Sequence, residues 1–369
     1  MRPTAAVSLL AGLLFSLACS DTPTAPGPRL DELGEVSSDL RRVSVMTQNL
    51  YVGTDVDAVL LAILSPDPND DLPALLVAIE TLKKTDFPTR AEAFADAIAR
   101  ERPDVVGFQE VSDVHVDLAA FGIPVIDLQF MPIIEAALAA RGLNYQVAAV
   151  VKNIVANPVP GVSLVDYDAI LVNTDRATID FAHTQNFSNN LGVVAPGVEL
   201  KRGLVMVAAT IEGRRYYFVN THLEPDLAGI DLSELRMAQM WELAVAVLGD
   251  ATPAFVMGDL NDRAGSPMYQ VLQQAGFQDV WTELRPGVEG FTNGRSPDLA
   301  NPENEFTKRI DYIWVRGLDG PPGQVQGRIT RLGVLPHERV QGPFYEMWPS
   351  DHAGLVAELH ILKGPDVPD

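Results

Sequence analysis

Short apolar runs alternate with amphipathic stretches from Arg41 onward, and several runs end abruptly in polar or acidic residues. The four clearest runs cover residues 43–49, 104–110, 216–222 and 254–259. Runs of this length, rich in Val, Phe, Met and Tyr, are typical of buried strands. The pattern therefore predicts four core strands, each with a polar side chain at or near its carboxyl end.

Helical spacing appears between the predicted strands, where apolar residues recur every three or four positions. Four stretches show it: Ala91, Phe94, Ala95 and Ile98; Leu128, Met131, Ile134 and Leu138; Met237, Met240, Trp241, Ala244 and Leu248; and the segment from Ser266-Pro267 to Gly276. We expect these stripes to pack against the core. Strands alternating with helices predict an α/β fold whose sheets are covered by helices. Short turns such as Gly213-Arg214 predict mixed sheets.

Two stretches carry Pro and Asp residues and lack a clear period. They are Tyr51 to Phe87 and Asn153 to Val165. We expect both to be long irregular loops or insertions at the surface, near the mouth of a site formed by strand ends. No second domain boundary is visible, so one domain is expected over residues 41–362, followed by a tail at 363–369.

The first residues differ from the rest of the chain. Arg2 precedes an apolar stretch from Ala5 to Ala18 that ends in small residues before Cys19. The stretch is shorter than the roughly 20 residues that span a bilayer, which predicts a signal peptide over residues 1–18. Cys19 is the only cysteine. We expect it to be lipidated, with residues 19–40 as a tether, in a protein that is exported and lipid-anchored to a membrane, periplasmic or at the cell surface. Simple secretion is the alternative.

Composition and charge narrow the range of partners. The 369 residues are 47% hydrophobic and 21% charged, and the net charge is −22. Nonspecific binding to nucleic acid depends on Lys and Arg that neutralise phosphates, so this charge weakens a nuclease interpretation. A local cation site can override the global sign. Nothing in the composition implies a protein partner.

Polar side chains stand just past the ends of the predicted strands. Those that follow strands are Asn49, Glu110, His222, Asp259 and Asn261. Asp311 instead precedes the apolar run 312–315, and Asp351-His352 precedes the run 355–359. Open α/β sheets bind ligands at the carboxyl ends of their strands. If the last two strands run antiparallel to the others, all these groups meet at one edge.

This set of side chains is rich in carboxylate, amide and imidazole groups and contains no cysteine. Oxygen ligands suit Mg²⁺, Mn²⁺ or Ca²⁺, and a few carboxylates with retained waters are the usual Mg²⁺ arrangement around a phosphate. Imidazoles suit proton transfer or contact with a phosphoryl oxygen. The chemistry predicts a divalent-metal-dependent hydrolase of phosphoester bonds, either a phosphodiesterase or a phosphatase.

Six motifs occur in order along the chain: Val45 to Leu50, Gly107 to Val111, Asn220 to Leu223, Gly258 to Asn261, Arg309 to Tyr312 and Ser350 to His352. Together they resemble the endonuclease/exonuclease/phosphatase family. That family includes deoxyribonuclease-like nucleases, abasic-site endonucleases, neutral sphingomyelinases and inositol polyphosphate phosphatases. The resemblance implies a four-layer sandwich of two packed mixed β-sheets flanked by helices, covering nearly the whole chain after residue 40.

The resemblance also implies a metal site. Glu110 would be the principal metal ligand, with Asn49 and Asp351 near the metal or the phosphate. Arg202, which precedes a further predicted strand, is a candidate phosphate contact, although a structural ion pair explains it equally well.

The same resemblance implies a set of catalytic residues. His352 would be the general base on the attacking water and Asp311 would orient it. Asp259 and Asn261 would position the water or contact the phosphoryl group, and His222 would stabilise charge on its oxygens. Some family members are argued to use the aspartate of the Gly-Asp-Leu-Asn motif as the base, so Asp259 is the alternative to His352.

Several interpretations remain open at this point. The substrate is a phospholipid head group, a nucleic acid or a small phosphate ester, and a secreted nuclease acting on DNA or RNA is one alternative. Another is a non-catalytic surface or binding module that has kept the fold. A serine hydrolase and a P-loop enzyme are disfavoured, because neither Gly-x-Ser-x-Gly nor the P-loop pattern occurs.

Overall fold

We describe the fold from a computed structural model of the chain. The structure describes residues 40–67, 69–227, 229–249, 252–318 and 325–362. The predicted signal peptide, Cys19, all but the last residue of the predicted tether, and the predicted tail lie outside the described residues.

Strands and helices alternate along the described chain. The strands are β1 (Leu40–Asn49), β2 (Val105–Val116), β3 (Ile126–Gln129), β4 (Tyr145–Ala156), β5 (Val162–Asn173), β6 (Ala177–Asn186), β7 (Gly192–Ala195), β8 (Val198–Leu200), β9 (Gly203–Ile211), β10 (Arg214–His222), β11 (Ala254–Asp259), β12 (Gln278–Asp279), β13 (Asp311–Arg316), β14 (Gly327–Leu332), β15 (Val340–Gln341), β16 (Glu346–Met347) and β17 (Gly354–Leu362). The helices are α1 (Val56–Leu64), α2 (Asp71–Thr85), α3 (Phe87–Glu101), α4 (Phe130–Ala140), α5 (Ser233–Val247), α6 (Pro267–Gln274) and α7 (Val280–Leu284).

Most of the described strands belong to two sheets. One has the order β14-β17-β1-β2-β5-β4-β8-β7, with β3 also paired to β2, and the other has the order β12-β13-β11-β10-β9-β6. In the first, β1 is parallel to β2 and antiparallel to β17. In the second, β11 is parallel to β10 and antiparallel to β13. Both sheets are therefore mixed. We call them the nine-stranded and the six-stranded sheet.

The two sheets pack face to face around a common apolar core. Val45 and Ile170 of the nine-stranded sheet and Phe218 and Phe255 of the six-stranded sheet are fully buried in it. The rings of Phe218 and Phe255 stack with their centroids 5.2 Å apart. Full burial of one such side chain contributes about 1.5–3 kcal/mol, so the docking of the sheets is a main source of stability.

Helices cover the outer face of each sheet. Phe94 of α3 and Ile134 of α4 pack with Phe108 on the nine-stranded sheet. Leu243 of α5 packs with Trp314 on the six-stranded sheet, in a cluster that also includes residues of α6. The order helix, sheet, sheet, helix confirms the predicted α/β sandwich of four layers.

The predicted stripe on α5 is only partly correct. Trp241 and Leu248 were expected to pack against the core, but they are 43% and 45% exposed. The buried face of α5 instead includes Gln239, whose Oε1 accepts a hydrogen bond from the Glu224 backbone N–H at 3.1 Å. Buried backbone groups of the loop beside α5 need hydrogen-bond partners, so α5 turns a polar residue inward. The apolar pattern alone therefore placed the buried face of α5 incorrectly.

The two predicted loops are wrong, because both stretches form regular elements. Residues 51–87 contain α1 and α2, and the Asp55 side chain caps α1 by accepting a hydrogen bond from the Ala58 N–H at 2.9 Å. The stretch 153–165 completes β4 and begins β5. Aspartate favours helix N-termini as well as turns, which explains the error at α1. No described helix has the length and apolar composition to cross a bilayer.

The strand directions bring the polar ends to one edge. Asn49 ends β1, which is parallel to β2, and His222 and Asp259 end the parallel strands β10 and β11. Asp311 begins β13 directly opposite Asp259, because β13 runs antiparallel to β11. His352 precedes β17, which is antiparallel to β1. The last two strands therefore run antiparallel to the others, as the sequence analysis required, and all these ends lie at the same edge of the sandwich.

Candidate active site

A cavity of about 240 Å³ opens at this edge between the two sheets. Six of the eight residues expected at the site line it: Glu110, His222, Asp259, Asn261, Asp351 and His352. Asn49 and Asp311 are almost fully buried behind them and contact them directly. The structure thus brings together the whole predicted set, while leaving the role of each residue to be tested.

His352 and Asp311 form a close pair. The imidazole Nδ1 lies 2.9 Å from Asp311 Oδ2, and the Nε2 lies 3.7 Å from Asp259 Oδ2. The His352 backbone N–H donates a hydrogen bond to Ser350 Oγ at 3.0 Å, which fixes the backbone that carries the imidazole. Burial opposes a charged imidazole, but Asp311, Asp351 and Asp259 outweigh it and raise the pKa of His352 well above its usual range.

Asp259 lies at the centre of the cluster. Its Oδ1 accepts a hydrogen bond from the Asn261 N–H at 3.0 Å, and its Oδ2 accepts one from Asn49 Nδ2 at 3.1 Å. Burial raises the pKa of Asp259 to about 7, although the neighbouring His352 opposes the rise. Gly258, with φ +141°, precedes it, and a Cβ there would lie 1.9 Å from the Thr221 carbonyl oxygen. Only glycine therefore fits at the position before Asp259, where β11 lies this close to the Thr221 backbone.

Glu110 is held by two donors at a break in the sheet. Its Oε1 accepts from Asn49 Nδ2 at 2.9 Å and its Oε2 from the Val52 backbone N–H at 2.8 Å. The pairing of β2 with β5 shifts register between Phe108 and Val111, and Glu110 has φ +55°. A non-glycine residue in this conformation is strained. The bulge turns the carboxylate into the cavity.

The Asn49 side chain contacts two carboxylates of the candidate site. The Tyr51 N–H donates to Asn49 Oδ1 at 2.8 Å, so the amide nitrogen faces the carboxylates of Glu110 and Asp259. The reverse orientation would place an NH₂ group against that backbone N–H. Asn49 therefore orients two carboxylates, and its expected place near the metal stays a prediction.

Asn261 and His222 form the other side of the cavity. Asn261 Nδ2 lies 3.0 Å from His222 Nε2 and donates to the Leu223 carbonyl oxygen at 2.9 Å. Asn261 has φ +50°. Burial, with the positive charges of Arg202 and His352, lowers the pKa of His222 well below its usual range. His222 is thus the neutral imidazole of the site, in contrast to His352.

The charge balance of the cavity fits a divalent cation. Its walls include the carboxylates of Glu110, Asp166, Asp259 and Asp351. Burial raises the pKa of Asp351 to about 6, against the opposing effect of His352. It raises the pKa of Asp166 well above its usual range. One or two carboxylates with retained waters suffice for Mg²⁺, and the cavity walls offer at least that many.

Among the described residues, one group of three potential metal-binding side chains has its ligand atoms within 4.8 Å of one another. It consists of Asp259, Asp311 and His352 rather than the expected Glu110 and Asp351. His352 Nδ1 and Asp311 Oδ2 already contact each other at 2.9 Å. The contact between His352 and Asp311 suits proton transfer, and the expected binding of a cation by Glu110 and Asp351 stays a prediction.

Arg202 lines the same cavity and is 4% exposed. Its Nε lies 3.3 Å from Glu224 Oε1, so the structural ion pair considered from the sequence is present. Its Nη1 is buried and has no hydrogen-bond partner among the described residues. A buried guanidinium nitrogen without a partner is costly and suits an anionic ligand.

Two further residues of the site escaped the sequence analysis. Asn293 Nδ2 lies 2.9 Å from His352 Nε2, and Arg90 is fully buried beneath the cavity. Arg90 donates hydrogen bonds to the carbonyl oxygens of Leu50, Tyr51, Thr85 and Pro349. Asn293 comes from the loop between α7 and β13, which carries no strand-end signal. Arg90 lies on the apolar face of α3. A charged residue on an apolar face is the sequence signal that could have identified it.

Comparison with known proteins identifies the class. Residues 46–352 match the model of the Endonuclease/Exonuclease/phosphatase family. The chain therefore belongs to this family, whose members are generally metal-dependent hydrolases of phosphoester bonds. No curated protein matches it.

Solved structures share the fold. A family protein from Beutenbergia cavernae is 21% identical with a TM-score of 0.55, and the match covers 87% of this chain and 72% of that one. One from Leptotrichia buccalis is 14% identical with a TM-score of 0.54, covering 86% and 99%. TDP2 from D. rerio, complexed with a single-strand DNA product, is 17% identical with a TM-score of 0.52, covering 86% and 98%. At these identities the likeness supports the fold alone.

Proposed function

We propose that this protein is an exported, divalent-metal-dependent phosphodiesterase or phosphatase. The observation that carries the proposal is the meeting of Glu110, Asp259 and His352 in one cavity between the two sheets, with Asp311 in contact with His352 from behind. Carboxylates with high pKa values beside two imidazoles are the groups that a phosphoester hydrolase needs.

Glu110 and Asp351 would hold Mg²⁺, Mn²⁺ or Ca²⁺. A cation there would polarise the phosphoryl oxygens and offset the carboxylate charge that raises the pKa of His352. Asn49 keeps Glu110 pointed into the cavity through its hydrogen bond of 2.9 Å.

His352 would take a proton from the attacking water at Nε2. Asp311 accepts the hydrogen bond from Nδ1–H and so favours the tautomer whose lone pair is on Nε2. This role requires a neutral imidazole before the water attacks. Asp259, with a pKa of about 7, is the alternative base. If a variant without the His352 imidazole kept a hydrolysis rate that still depends on pH, Asp259 would be favoured as the base.

The phosphoryl group would lie between Asn261, His222 and Arg202. The unpartnered Nη1 of Arg202 offers a donor to a phosphoryl oxygen. Asn261 and His222 lie 3.0 Å apart and would contact the other oxygens. Donors placed around the phosphorus stabilise the charge of the transition state.

Export and anchoring are supported by the sequence of the first residues. The apolar stretch before Cys19 is typical of a bacterial lipoprotein signal. In a bacterial host, the wild-type chain is expected in the membrane fraction and the Cys19→Ser variant in the soluble fraction after cell breakage. Equal distribution of the two would overturn the anchor.

A substrate panel tests the hydrolase. It comprises bis(p-nitrophenyl) phosphate, p-nitrophenyl phosphate, plasmid and single-stranded DNA, sphingomyelin vesicles and inositol phosphates, each with chelator and then with added Mg²⁺, Mn²⁺ or Ca²⁺. We expect hydrolysis of at least one substrate only when metal is present. No hydrolysis of any would contradict the proposal and favour a non-catalytic binding module.

A second candidate is a secreted nuclease. It is favoured by the likeness in fold to TDP2 with its single-strand DNA product. The net charge of −22 opposes it, because nucleic-acid affinity depends on neutralised phosphates. Cleavage of DNA in the panel faster than of the small esters would select this candidate.

A further inference from the structure

A second cavity of about 100 Å³ lies beside the candidate active site, and the wall that it exposes is apolar. Five residues line both cavities: Val52, Thr54, Val56, Ile154 and Leu164. The two cavities therefore share a wall. We call the second one the apolar cavity.

The helices α1 and α2 form one side of the apolar cavity. Leu60 of α1 and Leu75 and Ile79 of α2 face it, and Val114 of β2 and Val162 of β5 lie among the residues opposite. All five side chains are buried. The segment expected to be a loop is thus a helical wall of an apolar cavity.

One residue connects the apolar cavity to the candidate metal site. The Val52 backbone N–H donates to Glu110 Oε2 at 2.8 Å, while Val52 also lines the apolar cavity. A group bound in the apolar cavity is therefore only a residue's width from the carboxylate expected to hold the cation. A phosphate at the metal and an apolar chain in the apolar cavity can belong to the same molecule.

We propose that the substrate is an amphiphilic phosphoester whose alkyl chain occupies the apolar cavity. This inference rests on the proposed phosphoester hydrolysis. A sugar or base would lose its hydrogen bonds to water there without replacement, which is costly, whereas an alkyl chain gains from burial. A cavity of about 150 Å³ holds benzene, so this one holds on the order of four carbons.

The outer side of the same helices indicates a lipid source. Apolar residues on it are between 41% and 67% exposed: Leu61, Leu64, Leu72, Leu76 and Val77. Leu61 and Leu64 are three residues apart and Leu72 and Leu76 are four, with Val77 next to Leu76, so they cover one broad side of each helix. The same two helices carry three acidic residues, Asp57, Asp71 and Glu80, and two basic ones, Lys83 and Lys84. They have no excess of basic residues, so a zwitterionic lipid surface suits this side better than an anionic one.

A chain-length series on the full chain tests the proposal. The substrates are methyl, ethyl, propyl and butyl p-nitrophenyl phosphodiesters, used as soluble monomers with Mg²⁺. We expect kcat/KM to rise about fourfold per added methylene, the ratio that ~0.8 kcal/mol per buried CH₂ gives. The gain should level off beyond butyl. Equal rates along the series would overturn the proposal and leave the phosphoesterase intact.

Matched variants locate the effect. Ala78 faces the apolar cavity from α2, whereas Ala74, one turn earlier, does not line it. Ala78→Leu is expected to bring the butyl-to-methyl ratio of kcat/KM close to one, and Ala74→Leu to leave that ratio as in the wild type. A ratio kept by Ala78→Leu would overturn the assignment of the chain to this cavity.

Binding measurements separate this inference from the proposed function. Calorimetry of butylphosphonate and methylphosphonate on the wild-type chain with Mg²⁺ needs neither turnover nor a stable variant. Tighter binding of butylphosphonate supports the apolar cavity even if no ester is hydrolysed, and equal affinities overturn it.

Phosphatidylcholine vesicles distinguish the source of the chain. If the substrate comes from a lipid surface, the double variant Leu72→Gln, Leu76→Gln should lose most hydrolysis of vesicles while it keeps that of the butyl ester. If the source is a free amphiphile, the wild type hydrolyses the butyl ester and leaves vesicles intact. Either pattern supports an amphiphilic substrate, whereas hydrolysis of neither contradicts the proposed hydrolase and leaves the apolar cavity to the binding measurement.

Discussion

Asp311 belongs to one sheet and His352 lies just before a strand of the other, yet their side chains meet at 2.9 Å. Asp311 begins β13 of the six-stranded sheet, and His352 precedes β17 of the nine-stranded sheet. Asn49 and Asp259 bridge the sheets in the same way at 3.1 Å. The candidate site is therefore complete only when the two sheets are docked, so its chemistry depends directly on the core between them.

The pairing of His352 with Asp311 predicts a selective loss of catalysis. Asp311→Asn removes the charge that stabilises the protonated imidazole and favours the wrong tautomer. We expect kcat to fall by about 10²–10⁴-fold with a small change in KM, measured on the best substrate of the panel. The exposed Asp127 offers a control, since its side chain is 65% exposed, and Asp127→Asn should keep wild-type kinetics. Equal kcat values for the two variants would exclude the pair from catalysis.

The raised pKa of Asp259 makes stability depend on pH. A carboxyl with a raised folded pKa contributes stability below its unfolded pKa of 3.8 and loses it as the pH rises through the folded value of about 7. In chelator, Asp259→Asn should match the wild type near pH ~4 and exceed it by on the order of 4 kcal/mol above pH ~8. Denaturant unfolding at the two pH values measures this. The same gap at both would show that Asp259 ionises normally.

Asn293 is expected to tune His352. Its side-chain nitrogen lies 2.9 Å from His352 Nε2, the atom proposed to take the proton. Asn293→Ala should shift the pH profile of kcat and lower its maximum by about tenfold, while the melting temperature changes little. Asn304→Ala, which removes an acceptor of Arg295 in the same loop, serves as the comparison. An unchanged pH profile for Asn293→Ala would make the contact structural.

Arg90 is expected to hold the floor of the site together. Its guanidinium donates to four backbone carbonyl oxygens and is fully buried. Arg90→Met leaves those acceptors without partners and should cost about 3–5 kcal/mol of unfolding free energy. Arg100→Met, at a side chain 48% exposed, should cost at most about 1 kcal/mol. Similar costs in urea unfolding would contradict the structural role.

The sequence predicted the strand ends well because each is a local pattern. The run 216–222 lies wholly within β10, and its last residue, His222, is at the site. An apolar run fixes where a strand is buried, and the polar residue after it marks where burial stops. The sequence left the directions of β13 and β17 as an open condition, because strand direction depends on pairing between distant segments rather than on local composition.

The rest of the site depends on long-range contacts. Asn293 forms isolated β-bridges with Lys308 and with His352. No periodicity in the sequence encodes these two pairings. The orientation of Asn49 is set by one backbone N–H, that of Tyr51. The apolar cavity needs α2 to lie across β2, β4 and β5, whereas its Asp-rich start predicted a loop.

The rate of phosphoester hydrolysis as a function of Mg²⁺ concentration, in the wild type and in Glu110→Gln, tests the central claim most directly. Glu135 on the surface of α4 provides the control Glu135→Gln. We expect the wild type and Glu135→Gln to saturate alike, and Glu110→Gln to need much more Mg²⁺ and to lose more than about a hundredfold in rate. Wild-type activity and metal dependence in Glu110→Gln would contradict a metal-dependent hydrolase at this site.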